Sequence, residues 1–344
     1  MKQKLIFGGY TRRLNQGIHE AYFNPEKGQL EDSRLIFKIS NPTYLCTNAD
    51  QSIIFSLYQD GNQAGVIALG YKEDQWFELD RCLASKVNGC HIAYYDQTST
   101  LYICNYHEGI IDVYSFISNQ LQHVQKVELN HNSKFSNKQP VRMHYTSVSP
   151  NGEFLYACNL GQDSIEIFKL QSNGLIQKIS QFPTIEGMGP RHFVYHPHLP
   201  LIYVIGEYNN AVSIIRYNQQ GVLSELDSVP IIPDKLLPGA TGAAIKITKD
   251  GKFLYTSTRY SNYISVFTID KAGYINRVQY IDSVGQIPRD FCLDDTERFL
   301  IVPHQDSDFV SIFEREPLTG KLQFINNDVE VPESVCIIPL QPEK

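Results

Sequence analysis

Seven short phrases recur along the chain at nearly constant intervals, and a repeat of that length constrains the fold more than any other feature. They begin at Pro42 (PTYL), Gly89 (GCHI), Arg142 (RMHY), Pro190 (PRHF), Gly242 (GAAI), Pro288 (PRDF) and Pro332 (PESV), with spacings of 47, 53, 48, 52, 46 and 44 residues. Behind most of them the same succession follows: a strand, a tight turn, a strand, a polar corner, a strand. The turns read SPNGEF from Ser149, TKDGKF from Thr248 and DDTERF from Asp294, with Asn, Asp and Gly supplying the angles that tight hairpins need. Second strands read LYICN, FLYACN, LIYVIG, FLYTST and FLIVPH. Third strands read IDVYSF, SIEIFKL, AVSIIRY, YISVFTI and FVSIFER, whose apolar-polar alternation predicts half-buried strands. A fourth strand, as in LQHVQKVEL from Leu121, is less regular, as expected of an outer strand facing solvent. Four strands in about 40 to 50 residues is the blade period of a β-propeller.

The two ends complete the count. Residues 4–10 look like a second strand and residues 17–23 like a third, with no first strand before them, whereas residues 334–340 look like a first strand with no successor. Together they make one blade. The expected fold is therefore all-β: a seven-bladed β-propeller of four-stranded antiparallel blades, one domain over residues 1–344, its ring closed by the C-terminal strand so that no sheet edge is left free. The polar run 130–139 and the proline-bounded run 230–238 account for the two longest spacings as loop insertions between blades. Composition agrees, since 21 Tyr and 18 Phe against 3 Met and 1 Trp favour strands.

A formal charge of −7 argues against nucleic acid, whose phosphates demand a concentrated basic surface. No segment approaches the roughly 18 apolar residues of a membrane span, and the apolar run near the N-terminus is too short for a signal-peptide core. A cytoplasmic protein without a membrane partner, a monomer or weak homo-oligomer, is expected. The seven cysteines, six of them (Cys46, Cys90, Cys104, Cys158, Cys292 and Cys336) in predicted strands, form no C-x-x-C pair and suit buried, reduced thiols.

In a propeller the start of each innermost strand shares one rim with the loop after the second strand. The first set of positions holds His91, Arg142, His144, Arg191, His192, Arg289 and Asp290; the second holds Tyr10, Thr11, Arg12, Tyr58, Asn105, Tyr106, His107, Asn159, Glu207, Arg259 and His304. Asn105 and Asn159 suit corner residues that bond their own backbone, and His196 and His198, in a turn between prolines, lack the further ligands of a zinc site. No metal is expected. Arg191, Arg259, Glu207 and His144 stand beside inward-packing strand residues, where charge is costly unless paired or used. A Glu207–Arg191 pair holding neighbouring blades together would be a purely structural use. Two arginines around one carboxylate nevertheless leave excess positive charge on an acidic protein, and a small anion is the simplest partner.

The phrases GPRHFVYHP with YVIGEYNNAVSI, SVSPNGEFLYACNLGQDSIEIF, ITKDGKFLYTSTRYSNYISVF and PRDFCLDDTERFLIVPHQDSDFVSIF resemble the bacterial 6-phosphogluconolactonase family with the seven-bladed propeller fold, to which the fungal carboxy-cis,cis-muconate cyclase is related. The resemblance covers essentially the whole chain. It implies a site made of His144, six residues before Pro150, with Arg191 of GPRH, Glu207, and Arg259 in the blade after it. Three positions depart from the family: Gly206 stands for a usual Asn, Thr43-Tyr44 for a frequent His, and His304 for a common Asn.

The activity so implied is hydrolysis of a phosphorylated sugar lactone, 6-phosphogluconolactone, with Glu207 or His144 as base. One of Arg191 and Arg259 would stabilise the oxyanion, and the other would anchor an anionic substituent. His91, His192, Arg289, His304 and Asn105 are the candidate substrate-binding residues. No dissociable cofactor is required. Neither a Ser-His-Asp order nor a G-x-S-x-G elbow is visible, which argues against a covalent acyl-enzyme. The alternatives are a muconate-type lactonase or cycloisomerase built on the same residues, and a non-catalytic propeller that binds a sugar acid or a protein.

Overall fold

The computed structural model of the protein describes residues 2–129 and 139–341. The run 130–139, read as a loop insertion, lies outside them except for Gln139. The described residues form seven four-stranded sheets, the seven-bladed antiparallel propeller that the repeats predict. Contacts between residues divide the chain into two compact units, one of residues 1–35, 192–218 and 222–344, the other of residues 36–191 and 219–221.

In the first unit the strands from the two ends of the chain share a sheet. Ser334–Pro339 pairs antiparallel with Gln3–Gly9, which pairs in turn with Gly17–Asn24, and Gln29–Lys38 completes the blade. This is the blade assembled above from both termini. The register shifts between Gly8 and Gly9, so the chain leaves that strand through a bulge.

The turn phrases work as their residues suggest. In SPNGEF the Ser149 N–H donates to Phe154 O at 2.7 Å, and Gly152 takes the left-handed conformation with φ 70°. TKDGKF repeats this with Thr248, Phe253 and Gly251. In DDTERF the left-handed position falls to Glu297, φ 55°, with Asp294 and Phe299 closing the same hydrogen bond; the backbone need is met there without glycine.

The core lies between the faces of adjacent blades. In the first unit Ala244, Tyr255, Ile264 and Val266 of one blade pack against Phe291, Leu300, Val302 and Phe313 of the next. In the second, Tyr102, Cys104, Ile111 and Val113 pack against Met143, Leu155, Ala157 and Phe168. Covering both faces of a blade corrects one expectation. The third strands are not half-buried: Asp112, Glu166, Ser213, Ser265 and Ser311, the polar members of their alternation, are all buried. Each has a partner that meets the cost of burial. Glu166 accepts from Asn159 at 2.9 Å and pairs with Lys178 at 2.6 Å, Ser213 donates to Glu225 at 2.7 Å, and Ser265 donates to Ile231 O at 2.5 Å.

The tyrosine in the second-strand phrases joins one blade to the next. Tyr102, Tyr203 and Tyr255 are fully buried and donate their hydroxyls to Gly174 O (2.8 Å), Gly273 O (2.8 Å) and Gly320 O (2.9 Å), each in the outer hairpin of the following blade. Burial pushes all three phenols up. Those glycines are left-handed, and a Cβ on Gly273 would lie 2.1 Å from Leu201 Cδ1. All seven cysteines are free thiols, but Cys46, Cys82 and Cys90 are only partly buried, which corrects the expectation of uniformly buried cysteines.

Candidate active site

The first unit holds Glu207, Arg259, Arg289, His192 and His304. Glu207 follows the strand Leu201–Gly206, and Arg259 ends the strand Phe253–Arg259 of the next blade. Arg259 Nη2 stands 2.9 Å from Glu207 Oε2, with the two side chains 8 % and 15 % exposed. Within its unit, the carboxylate for which a structural partner in Arg191 was considered thus pairs with Arg259. Burial pushes the Arg259 guanidinium down from its ordinary value; Glu207 opposes the fall and the Arg289 cation adds to it. Arg259 Nε is buried and meets no hydrogen-bond partner among the described residues. A strong donor left over beside a carboxylate, with a second cation close by, is an arrangement that favours an added anion.

His304 takes a different place. Its side chain has no exposed surface, its Nε2 lies 3.0 Å from Ser311 Oγ, and its ring packs on Phe309 and against Gly285. Burial pushes the imidazole down to about 4. It is a neutral, packed histidine. His192 is buried within the strand Pro190–Tyr195, and Asp290 is buried with Lys246 Nζ at 3.2 Å. His196 Nδ1 accepts the N–H groups of His198 and Leu199 at 3.0 Å each, so it organises its own turn.

The second unit holds His91, Asn105, Arg142, His144 and Arg191. His91 is buried between the rings of Tyr44 and Tyr145, at 4.6 and 4.1 Å. Tyr44 is one of the two residues that stand where the family often has a histidine. His144 is 3 % exposed with the Tyr106 ring at its edge, and Tyr106 also meets the Arg142 guanidinium through both hydroxyl and ring. Arg191 is among the largest fully buried side chains, and its charge partly offsets the upward push that burial gives the Cys158 thiol. Asn105 uses its amide locally: Oδ1 accepts from the N–H groups of His107 and Glu108, and Nδ2 donates to Val87 O and Glu108 Oε2. That is the corner function; Asn159 instead reaches across to other strands, its Oδ1 accepting the Arg142 N–H at 3.1 Å and its Nδ2 donating to Glu166 at 2.9 Å.

The chain order of Ser, Asp and His gave no triad, yet Ser85, Asp112 and His123 do meet in this unit. The order in space is wrong for nucleophilic catalysis. Asp112 sits in the middle, bonding Ser85 on one oxygen and His123 Nε2 at 2.9 Å on the other, so the imidazole cannot take the hydroxyl proton.

Tyr10 and Tyr106 fall among the rim positions read from the sequence, but nothing there shows their role as aromatic partners of the charged residues. Tyr10 stacks on Arg12 and faces Arg289, and Tyr106 holds Arg142. The signal available was a Tyr within two residues of an Arg, or at the same corner of the preceding blade, which is too common to single out.

Residues 4–339 match the family described as lactonase, 7-bladed beta-propeller. The chain is 30 % identical over 336 residues to the 6-phosphogluconolactonase of Bacillus subtilis, covering 96 % of each protein. It is 29 % identical over 344 residues to an uncharacterized protein of Lactococcus lactis, covering 99 % of this chain and all of that one. A crystal structure of a protein from Lactobacillus plantarum superposes with a TM-score of 0.94 at 28 % identity, covering 99 % of this chain and all of that one. With the repeats, the blades and the whole-length match in agreement, the chain belongs to the lactonase family of seven-bladed β-propellers.

Proposed function

We propose that the protein hydrolyses a phosphorylated sugar lactone, 6-phosphogluconolactone first among them, by direct attack of water on the ring ester. The Glu207–Arg259 pair carries this reading. Lactone hydrolysis needs a group that takes a proton from water and a cation that stabilises the oxyanion formed on the carbonyl oxygen. A carboxylate and a largely buried guanidinium 2.9 Å apart supply both at one point. In the proposed reaction Glu207 accepts the proton as the water oxygen bonds the carbonyl carbon, and Arg259 donates to the oxyanion. The ring C–O bond then breaks, the alkoxide leaves with the proton returned by Glu207, and the product is the open hydroxy acid.

The name of the Bacillus relative supports this substrate class. His144 and Arg191 enter the proposal as the residues that the resemblance implies, His144 as the alternative base because a neutral imidazole nitrogen can accept the proton of water. His91, His192 and Arg289 remain proposed contacts to substrate, while the burial of His304 and the local bonds of Asn105 favour structural roles for those two.

The test is the rate of acid release from 6-phosphogluconolactone by the protein and its Glu207→Gln and His144→Gln variants across pH. Loss of the base lowers kcat by about 10² to 10⁴. If Glu207→Gln keeps the wild-type rate while His144→Gln abolishes it, the base is His144; if the unmodified protein opens no lactone in a panel, the function is wrong.

A further inference from the structure

The loop after the strand Gln3–Gly9 is held more firmly than a surface corner requires. Glu333, from the last of the seven recurring phrases, is 2 % exposed, and its carboxylate accepts four consecutive backbone N–H groups. They belong to Arg12 (3.2 Å), Arg13 (2.8 Å), Leu14 (2.9 Å) and Asn15 (3.1 Å). Tyr10 N–H donates to Glu333 O at 3.1 Å, and Gly9 lies so close that a Cβ there would be 2.4 Å from that oxygen.

This loop presents two adjacent arginines that are treated oppositely. Arg13 is neutralised by a two-pronged bond to Asp308, 2.9 Å on each arm, and also donates to Gln305 O. The exposed Arg12 guanidinium has no hydrogen bond or ion pair among the described residues. It lies 3.7 Å from the centre of the Tyr10 ring, and Arg289, likewise without a carboxylate among the described residues, lies 5.9 Å from the same ring. Arg289 in turn is near enough to Arg259 to disfavour its charge. Glu333 makes no ion pair with Arg12: its oxygens accept the backbone N–H groups, and its Oε1 stands 3.8 Å from Arg13 Nε.

Arg12 and Arg289 therefore flank the Tyr10 ring, and Arg289 in turn neighbours the Arg259 that pairs with Glu207, with Arg12 held by an aromatic face and a braced loop. Stacking leaves the edges of a guanidinium, where its N–H groups point, open to a ligand. A phosphate monoester, with up to two negative charges and three acceptor oxygens, fits two such edges.

We infer that Arg12 and Arg289, oriented by Tyr10 and the Glu333-braced loop, form the subsite for the phosphate of the substrate. This rests on the reaction proposed above and assigns the phosphate to these residues in place of Arg191 or Arg259.

The experiment compares kcat/KM for 6-phosphogluconolactone and the unphosphorylated gluconolactone in the full-length protein, with inorganic phosphate binding followed by calorimetry. The variants are Arg12→Ala, Arg12→Gln, Arg289→Gln and, as control, Arg13→Ala. Loss of one charge-assisted contact lowers the preference for the phosphorylated ring by about 10- to 100-fold and weakens phosphate binding in parallel, whereas Arg13→Ala keeps the wild-type preference. Unchanged preference in the Arg12 and Arg289 variants of an active enzyme overturns the subsite and leaves the reaction standing. If the protein opens neither lactone, yet phosphate binds and both arginines are needed for it, the subsite stands and the reaction falls.

Discussion

The Glu207–Arg259 pair lends itself to a double-mutant cycle in which stability and catalysis are read on the same four proteins. Charge centres about 4 Å apart at an effective dielectric near 20 attract by about 4 kcal/mol. Here the contact is 2.9 Å and both groups are largely buried. Desolvation offsets much of that attraction, as the downward push of burial on Arg259 shows. A net coupling of about 1–3 kcal/mol is expected.

Glu207→Gln keeps the shape but leaves the guanidinium without its counter-charge, and Arg259→Met removes the cation and keeps an apolar stem. Each single substitution then destabilises by more than its effect in the presence of the other. Urea unfolding of the four proteins measures the coupling, and lactone turnover measures the function. A pair that only holds blades together would show the coupling with activity retained by the double variant. Additive stability effects, within about 0.3–0.5 kcal/mol, would refute the argument that burial makes the two charges interdependent.

Two further outcomes follow from the fold. Tyr203→Phe leaves the Gly273 carbonyl without its donor and costs about 1–3 kcal/mol in thermal or urea unfolding; an unchanged midpoint would remove the inter-blade role assigned to these tyrosines. His304, pushed down to about 4 by burial from an ordinary 6.5, binds its proton more readily in the unfolded chain than in the folded one. Its contribution is fully present above pH 6.5 and is lost as pH falls through about 4, about 3 kcal/mol in all. His304→Asn should flatten stability against pH across that window, and a slope identical to wild type would contradict the burial argument.

Much of the blade architecture was written in local signals. A turn such as SPNGEF or TKDGKF needs only its own six residues to close, so its position and strand pairing follow from the chain alone. The period of the opening phrases then sets the number of blades. The strands at the two ends could be paired because each lacked what the other had, and Ser334–Pro339 against Gln3–Gly9 is that pairing. The same regularity put Glu207, Arg259, Arg289 and His304 at strand ends, since a repeat fixes where each residue falls in its blade.

Only the tertiary structure decided what those residues meet there. Alternation in SIEIFKL or AVSIIRY reads as one wet face, but a second blade covers that face, and Glu166 and Ser213 are buried with partners from neighbouring strands. The tyrosine-to-glycine bonds join residues 72, 70 and 65 positions apart, beyond the reach of any local pattern. Arg12 and Arg13 are indistinguishable as letters. Asp308 neutralises one and Tyr10 orients the other, because charge balance is set by which groups the packed chain brings within a few ångströms. Sequence placed the charges at the blade ends; packing selected which of them remain available to a ligand.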